Sequence, residues 1–498
     1  MDKKDIDTKR LFIFLLVITF ALFAYQTYLL LFRPSTPPQE KPKQVQKDES
    51  VPQLMLGSFR EAQKPSETLS YRLGDFSIKI SPQGGKVVSW VDEKYGKDLV
   101  TSTEKKLGVY PLEIFTGDPQ KDVELNFSPY QVQGSDREIS MTLQGNGWFV
   151  RKRLVYDGER IKLYIEEQGL GPIWVNVGTP LEEDSFYTHV GPVLEQDGSV
   201  KRIDIKDVEG RQSIKGDIKF AGVESRYYFK GLVGNIPQVV IYRLEGDHSL
   251  VVVRYSQPLI LYMGAKDYGR LRVLGLSEVL DYGTLRIIVK PLFVFMYWIY
   301  EHLHSWVFSI LVLTLLVRLI VFPLTYKSTV SMMRLSELAP KMQELREKYK
   351  DDPVKFQEEL MKLYAEAGFN PMSGCLPILL QIPIFFALYK VLTITAELQL
   401  ASFLWIPSLA QKDPYYLLPI LMGVTMIAQQ WVSPAPDKSQ NLMMYVTSVV
   451  FTFLFASFPS GLVLYWTFNN ILNIVQSYVI KRFLLKEEPK RGKRGKKR

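Results

Sequence analysis

The chain has 498 residues, 47% of them hydrophobic and 23% charged, which reads as a blend of membrane spans and a soluble part and is long enough for more than one domain. The net charge of +9 owes most to residues 490–498, KRGKRGKKR, which hold seven basic side chains and no acid. One cysteine, Cys375, excludes any intrachain disulfide, so a domain in an oxidising compartment must be held by its core alone, and Cys375 itself reads as a small buried apolar residue.

Residues 1–33 combine a charged start (Lys3, Lys4, Lys9, Arg10) with an unbroken apolar run from Leu11 to Phe32. RPSTPP follows without a small-residue cleavage site, so the run reads as a retained signal anchor. Residues 34–68, rich in Pro, Gln and Lys, read as an extended linker. Over 69–283 short alternating runs such as YRLGDFSIKI, WFVRKRLVY and SLVVVRY, separated by Gly, Pro, Asp and Asn, predict a large antiparallel β-sandwich. No catalytic constellation stands out there, so the chain does not read as an enzyme. His189 and His248 are isolated, without metal-ligand spacing. Trp90, Trp148 and Trp174 are of the type that lines sugar clefts, although such residues more often fill a core.

Residues 284–302 predict an interfacial amphipathic helix, with Tyr297, Trp298 and Tyr300 at headgroup level. The next segment, 303–325, contains SWVFSILVLTLLVRLIVFPLT and reads as a membrane span with Arg318 inside it. Residues 326–373 predict a polar helical hairpin on the cytoplasmic side. Its apolar stripes are Met342, Leu345 and Tyr349 in one arm and Phe356, Leu360 and Leu363 in the other, and the hairpin reads either as a docking surface for a partner or as a solvated connector. Four further spans fall within 374–482, and a basic cytoplasmic tail within 483–498. The fold class is therefore an α+β membrane protein with six transmembrane helices and one large β domain. Counting only Lys and Arg places both termini and the hairpin in the cytoplasm and the β domain outside it.

Arg318 lies six residues before Leu324, roughly 9 Å inside that end of its span at about 1.5 Å per residue. No span offers an Asp or Glu to pair with it. Thr314 stands one turn deeper on the same face. Gln381, Gln429, Gln430, Asn473 and Gln476 are placed by the same topology in the cytoplasmic half of other spans. An unpaired guanidinium persists in a membrane when water or hydrogen-bonding side chains reach it, so the set predicts a wet groove open to the cytoplasm and stopping partway across. Taken singly, each amide also reads as helix-to-helix glue.

FSILVLTLLVRLIVFPLT, NPMSGCLPILLQIPIFFALY, DPYYLLPILMGVTM and FPSGLVLYW, in that order, resemble the membrane core of the YidC/Oxa membrane protein insertases, in the bacterial form with a large domain after the first span. The resemblance implies a five-helix insertase core plus the anchor in the bacterial inner membrane, and a periplasmic domain of the galactose-mutarotase-like supersandwich type. It implies a protein that inserts and folds nascent membrane proteins, alone or with the Sec translocon, with no cofactor and no DNA partner. Arg318 matches the family's groove arginine, and the hairpin resembles the region that meets targeting factors or the ribosome. The basic tail suits either ribosomal RNA phosphates or anionic lipid. Where many relatives have a second tyrosine this chain has Trp466, carried over as an apolar substrate contact only. Two alternatives stand beside this reading: a transporter binding a small anion at Arg318, and a membrane-anchored sugar enzyme.

Overall fold

A computed structural model describes residues 67–182, 188–366, 376–433 and 438–484. The expected anchor, nearly all of the linker, Cys375 and the basic tail lie outside the described residues. The chain divides into two units: a β-rich one that ends at Tyr282 and also takes in Thr393–Glu397, and a helical one made of Gly283–Leu392 and the chain from Leu398 onward.

In the β-rich unit, β1 (Leu69–Leu73), β2 (Phe76–Ser81), β3 (Lys86–Asp92) and β4 (Lys97–Asp98) form a four-stranded sheet in that order. A twelve-stranded sheet takes β5 (Ile114–Phe115), β6 (Gln131–Gly134), β7 (Glu138–Gly145), β8 (Trp148–Tyr156), β9 (Ile161–Gln168), β10 (Ile173–Gly178), β11 (Gly191–Gln196), β12 (Ser199–Arg202), β13 (Arg211–Glu224), β14 (Tyr228–Arg243), β15 (Ser249–Tyr255) and β16 (Leu259–Ala265). The period of two read from the sequence is the period of burial: Ile139, Met141 and Leu143 of β7 and Val150 and Leu154 of β8 point inward. The long hairpin β13–β14 serves two parts of the sheet. One half of β14 pairs with β16 (Leu232 opposite Leu261) and the other with β15 (Val239 opposite Val253). Register shifts near Lys215 and Ile218 bend β13 between them, the usual device by which strands change partners at a corner.

Trp90 and Trp174 are wholly buried and Trp148 nearly so, and the Trp90 indole donates to the Met263 carbonyl at 2.9 Å. The suggestion that they line a sugar cleft is therefore corrected: burial of their large apolar area makes them core. His189 is buried, its ring Nε2 3.1 Å from the Pro192 carbonyl oxygen, and burial pushes its pKa down, as suits a structural neutral imidazole.

Several buried charges inside this unit are paired, while the buried Lys152 ammonium donates to the Gly85 and Leu112 carbonyls at 2.7 and 3.2 Å. Helix α1 (Ser102–Leu107) opens with a capping box between Thr101 and Glu104, and Glu104 Oε1 also accepts from Lys230 Nζ of β14 at 2.6 Å and from the Thr179 N–H at 2.6 Å. A short helix α2 (Pro119–Phe127) packs near β5. Glu224 accepts from Arg202 at 2.7 Å and Lys266 at 2.5 Å. Helix α3 (Tyr268–Val273) is held through Arg270, which donates to Asp92 at 2.7 Å and Asp75 at 2.8 Å.

The segment Thr393–Glu397 is nearly all buried, and Glu397 Oε1 accepts from the Tyr268 N–H at 2.9 Å while Oε2 has no partner. Burial and the nearby Asp267 charge push its pKa from about 4.5 up to about 7, with Lys94 opposing. The folded state thus holds a proton between those values that the unfolded state has released. This contribution to stability is fully present below about 4.5 and is lost as pH rises through about 7. Thermal unfolding of the full-length protein from pH 5 to 8 is expected to show that loss, and Glu397→Gln to flatten it relative to wild type. Identical slopes would refute the assignment.

The helical unit begins with α4 (Arg286–Leu303), where Val289, Phe293, Met296 and Ile299 are buried at helical spacing while Ile287 and Trp298 stay exposed. Tyr300 stacks on Trp306 at 4.1 Å. Helix α5 (Trp306–Glu337) runs on past Thr325, where the span was expected to end, because no Gly or Pro occurs between Thr325 and Pro340. Then come α6 (Ala339–Lys348), α7 (Pro353–Glu366), α8 (Leu376–Ile394), α9 (Leu417–Val432), α10 (Lys438–Phe455) and α11 (Ser460–Val479). Trp306–Ser331 is long and apolar enough to cross a membrane, and Gln381–Ile394, Leu417–Val432 and Asn441–Phe455 are shorter apolar helices. Their outer faces carry exposed Leu319, Ile320, Val424, Val450 and Phe453, a surface suited to lipid.

Candidate functional site

Pairs of side chains fix the helix directions. Gln476 Nε2 donates to Thr325 Oγ1 at 2.9 Å, and seven residues earlier on each helix Arg318 Nη2 donates to the Asn469 carbonyl at 3.3 Å, so α5 and α11 run parallel. Gln381 Nε2 donates to Tyr465 Oη at 2.9 Å and Tyr389 meets Phe458 at 6.0 Å, so α8 is antiparallel to α11. Gln430 Nε2 donates to Ser448 Oγ at 2.8 Å, and a Cβ on Gly423 would lie 2.1 Å from Thr452 Oγ1, so α9 and α10 are close-packed and antiparallel.

Arg318 is half-buried, its Nε is buried without a partner, and among the described residues no carboxylate pairs with it. Its Nη2 donates to the Asn469 carbonyl. Tyr465 and Asn469 are one turn apart on α11, so α11 brings Arg318 of α5 and Gln381 of α8 to one place. The arrangement can present hydrogen-bond donors and one positive charge to a guest group. It contains no nucleophile–base pair, and no cluster of metal-ligating residues occurs among the described residues.

The other expected site residues fall differently. Thr314 is buried, and its hydroxyl donates to the Ile310 carbonyl of its own helix at 2.6 Å. Asn473 lies half-buried on the α11 face that also bears Tyr465, Asn469 and Gln476. Gln429 is half-buried on α9, and no hydrogen bond brings it to Arg318. Trp466 lies with Phe385, Phe455 and Phe451 at 5.1, 5.1 and 6.2 Å. It sits about 100° around the helix from Tyr465, so it cements α8, α10 and α11 in place of facing the arginine.

Tyr465 was missed as a site residue, although the polar stripe Tyr465, Asn469, Asn473, Gln476 has helical spacing and was available as a signal. The pair Asn470 Nδ2 to Thr425 Oγ1, at 3.1 Å, was also missed, since nothing in either helix names the other.

In the hairpin, Met342, Leu345, Tyr349, Phe356, Leu360 and Leu363 are all half-buried, and Tyr364 Oη lies 4.0 Å from Met342 Sδ across the two arms. The two arms touch at that point, and the stripes are neither fully exposed nor fully buried. The exposed apolar side chains are on the opposite face of α7, Val354 and Met361, beside the Lys362–Glu358 ion pair.

Residues 298–488 match the family model described as 60Kd inner membrane protein. The chain is 52% identical over its whole length to the whole of the membrane protein insertase YidC of Aquifex aeolicus. It is 35% identical to that of Campylobacter jejuni, over 80% of each chain. A crystal structure of an active YidC insertase with its first transmembrane domain resolved aligns over 93% of this chain and 99% of its own, at 19% identity and a TM-score of 0.44. The half-buried arginine among amides and the full-length identity to an insertase agree, and the chain belongs to the YidC family of membrane protein insertases.

Proposed function

We propose that this protein inserts and folds integral membrane proteins by receiving their polar, still hydrated segments at Arg318. The observation that carries this reading is the state of the arginine: a guanidinium within an apolar helix, held by one backbone carbonyl and left with an unpartnered Nε, is better explained by a guest than by the fold. Gln381, Tyr465, Asn473 and Gln476 would extend the donor and acceptor set along α11. A guest carboxylate or amide held there has a shorter apolar distance left to cross, and its own hydrophobic segments then drive partition into lipid.

The reading carries a topology. Residues 11–32 and helices α5, α8, α9, α10 and α11 span the inner membrane, with both termini and the α6–α7 hairpin cytoplasmic and the β-rich unit periplasmic. The parallel and antiparallel pairs of helices support this alternation. The outer face of α7 is the surface offered to targeting factors or the ribosome, and the Sec translocon is the expected membrane partner. Anion transport has no support among relatives named as insertases. The supersandwich kinship of the β-rich unit is kept as part of the proposal, without a sugar site.

The test is access of a membrane-impermeant thiol reagent to single cysteines at 314, 318, 381 and 473, with Cys375 replaced. Labelling of 318, 381 and 473 from the cytoplasmic side alone is expected. Labelling from the periplasmic side, or none at any of the three, would remove the groove.

A further inference from the structure

We infer that the connection 398–417, between α8 and α9, is itself a lipid-binding element that seats in the headgroup layer with Leu400, Leu404, Tyr415 and Tyr416 in the bilayer. The inference rests on the proposed spanning of α8, α9 and α11. Three observations on this segment carry it.

Between a 3-10 turn at Ala396–Gln399 and the start of α9 at Leu417 the segment has no helix or long strand, yet it makes backbone hydrogen bonds of its own. Phe403 and Ile406 exchange N–H donations to each other's carbonyl at 2.9 and 2.8 Å, and Leu409 N donates to the Ala401 carbonyl at 2.8 Å. The Gln411 and Leu409 carbonyls accept from the Ser460 and Gly461 N–H groups at 2.7 and 2.9 Å, which also fixes the start of α11. Its one carboxylate is sequestered: Asp413 is 1% exposed and accepts from the Trp405 indole at 3.1 Å, the Tyr415 N–H at 2.9 Å and the Leu418 N–H at 2.7 Å. Irregular chain tolerates a medium of low polarity only when its polar groups are paired in this way.

Its side chains are turned outward in the opposite sense. Leu404 is 76% exposed and Tyr415 66%, with Leu400 and Tyr416 near half. Leu404 also sits at φ +51°, in the left-handed region that a leucine rarely adopts. In water this conformation is disfavoured twice, by the backbone and by the apolar surface it displays. In a headgroup layer the second cost becomes a gain.

The lipid occupant follows from continuity and length. Tyr415 and Tyr416 lead directly into Leu417, Ile420 and Val424, the exposed apolar face of α9. Helix α9 has 16 residues, about 24 Å at ~1.5 Å per residue, against a hydrocarbon core of about 30 Å. The missing length must come from flanking residues, and tyrosines at the end of a span favour the interface. The exposed Lys412 is placed to meet lipid phosphates.

The test uses the full-length protein with Cys375→Ser, carrying Leu404→Cys, Tyr416→Cys or Leu400→Cys labelled with an environment-sensitive fluorophore, in vesicles of phosphatidylethanolamine and phosphatidylglycerol. Phe453→Cys on the exposed face of α10 and Glu159→Cys on a β-turn are the references for lipid and water. The expected result is quenching of 400, 404 and 416 by a lipid-borne quencher near the headgroups, with iodide quenching several-fold weaker than at 159. Iodide quenching equal to that at 159 while 453 responds to lipid would overturn the inference and leave the spanning reading intact. No lipid quenching at 453 would overturn the spanning reading, and this inference with it.

Discussion

Arg318→Ala is expected to lower insertion of a small substrate with an acidic translocated segment by about ten- to a hundred-fold, the equivalent of one charge-assisted hydrogen bond of about 1.5–3 kcal/mol. The same substitution is expected to leave thermal stability unchanged or slightly higher. Asn469 offers Arg318 one backbone bond at 3.3 Å, and removing a poorly compensated buried charge relieves desolvation. Arg318→Lys keeps the charge and should retain most of the activity, although Lys cannot reproduce the planar fork. Insertion into proteoliposomes, read beside a melting curve for each variant, separates the two effects. Equal insertion by all three proteins, or loss of stability in step with loss of insertion, would make Arg318 a structural residue.

Lys230→Met is expected to destabilise the β-rich unit by about 3–5 kcal/mol, or a fall of roughly 10 °C in its melting transition. Lys230 and Glu104 are both fully buried, and burial pulls the Lys230 pKa down with Glu104 opposing. Without the ammonium, the Glu104 carboxylate keeps the Thr101 and Thr179 N–H donors but loses its counter-charge. The site has no room to reorganise, since a Cβ on Gly178 would lie 2.1 Å from Glu104 Oε1. Replacing both partners, Lys230→Met with Glu104→Leu, should recover part of the loss. A single-variant shift below 2 °C would show that the pair is dispensable.

Faces were legible in the sequence and partners were not. The alternation that buries Ile139 and Met141 and the stripe that buries Val289, Phe293 and Met296 are local properties, readable from spacing. What a face meets is a tertiary property. Trp90 could belong to a cleft or a core until the Met263 carbonyl was found on its indole, and the spacing of Leu345 and Leu360 names no partner for either stripe. Trp466 and Tyr465 are neighbours in sequence, yet one joins an aromatic cluster and the other the arginine's surroundings, a division set by the helices packed on either side of α11. Arg318 itself was legible because a charge in an apolar run is conspicuous whatever surrounds it.

The continuity of α5 past Thr325 sets where the α6–α7 hairpin can pivot. Twelve further helical residues, about 18 Å at ~1.5 Å each, separate Thr325 from the break at Leu338. The hairpin is thus mounted on a helical stalk of that length, with its joint at Leu338. At the base of the stalk, Pro323 removes one backbone donor, and close by the Thr325 hydroxyl donates to the Phe322 carbonyl at 3.1 Å while accepting from Gln476. A load on the hairpin that bends α5 at that base would pull first on α11, two turns from the carbonyl that holds Arg318.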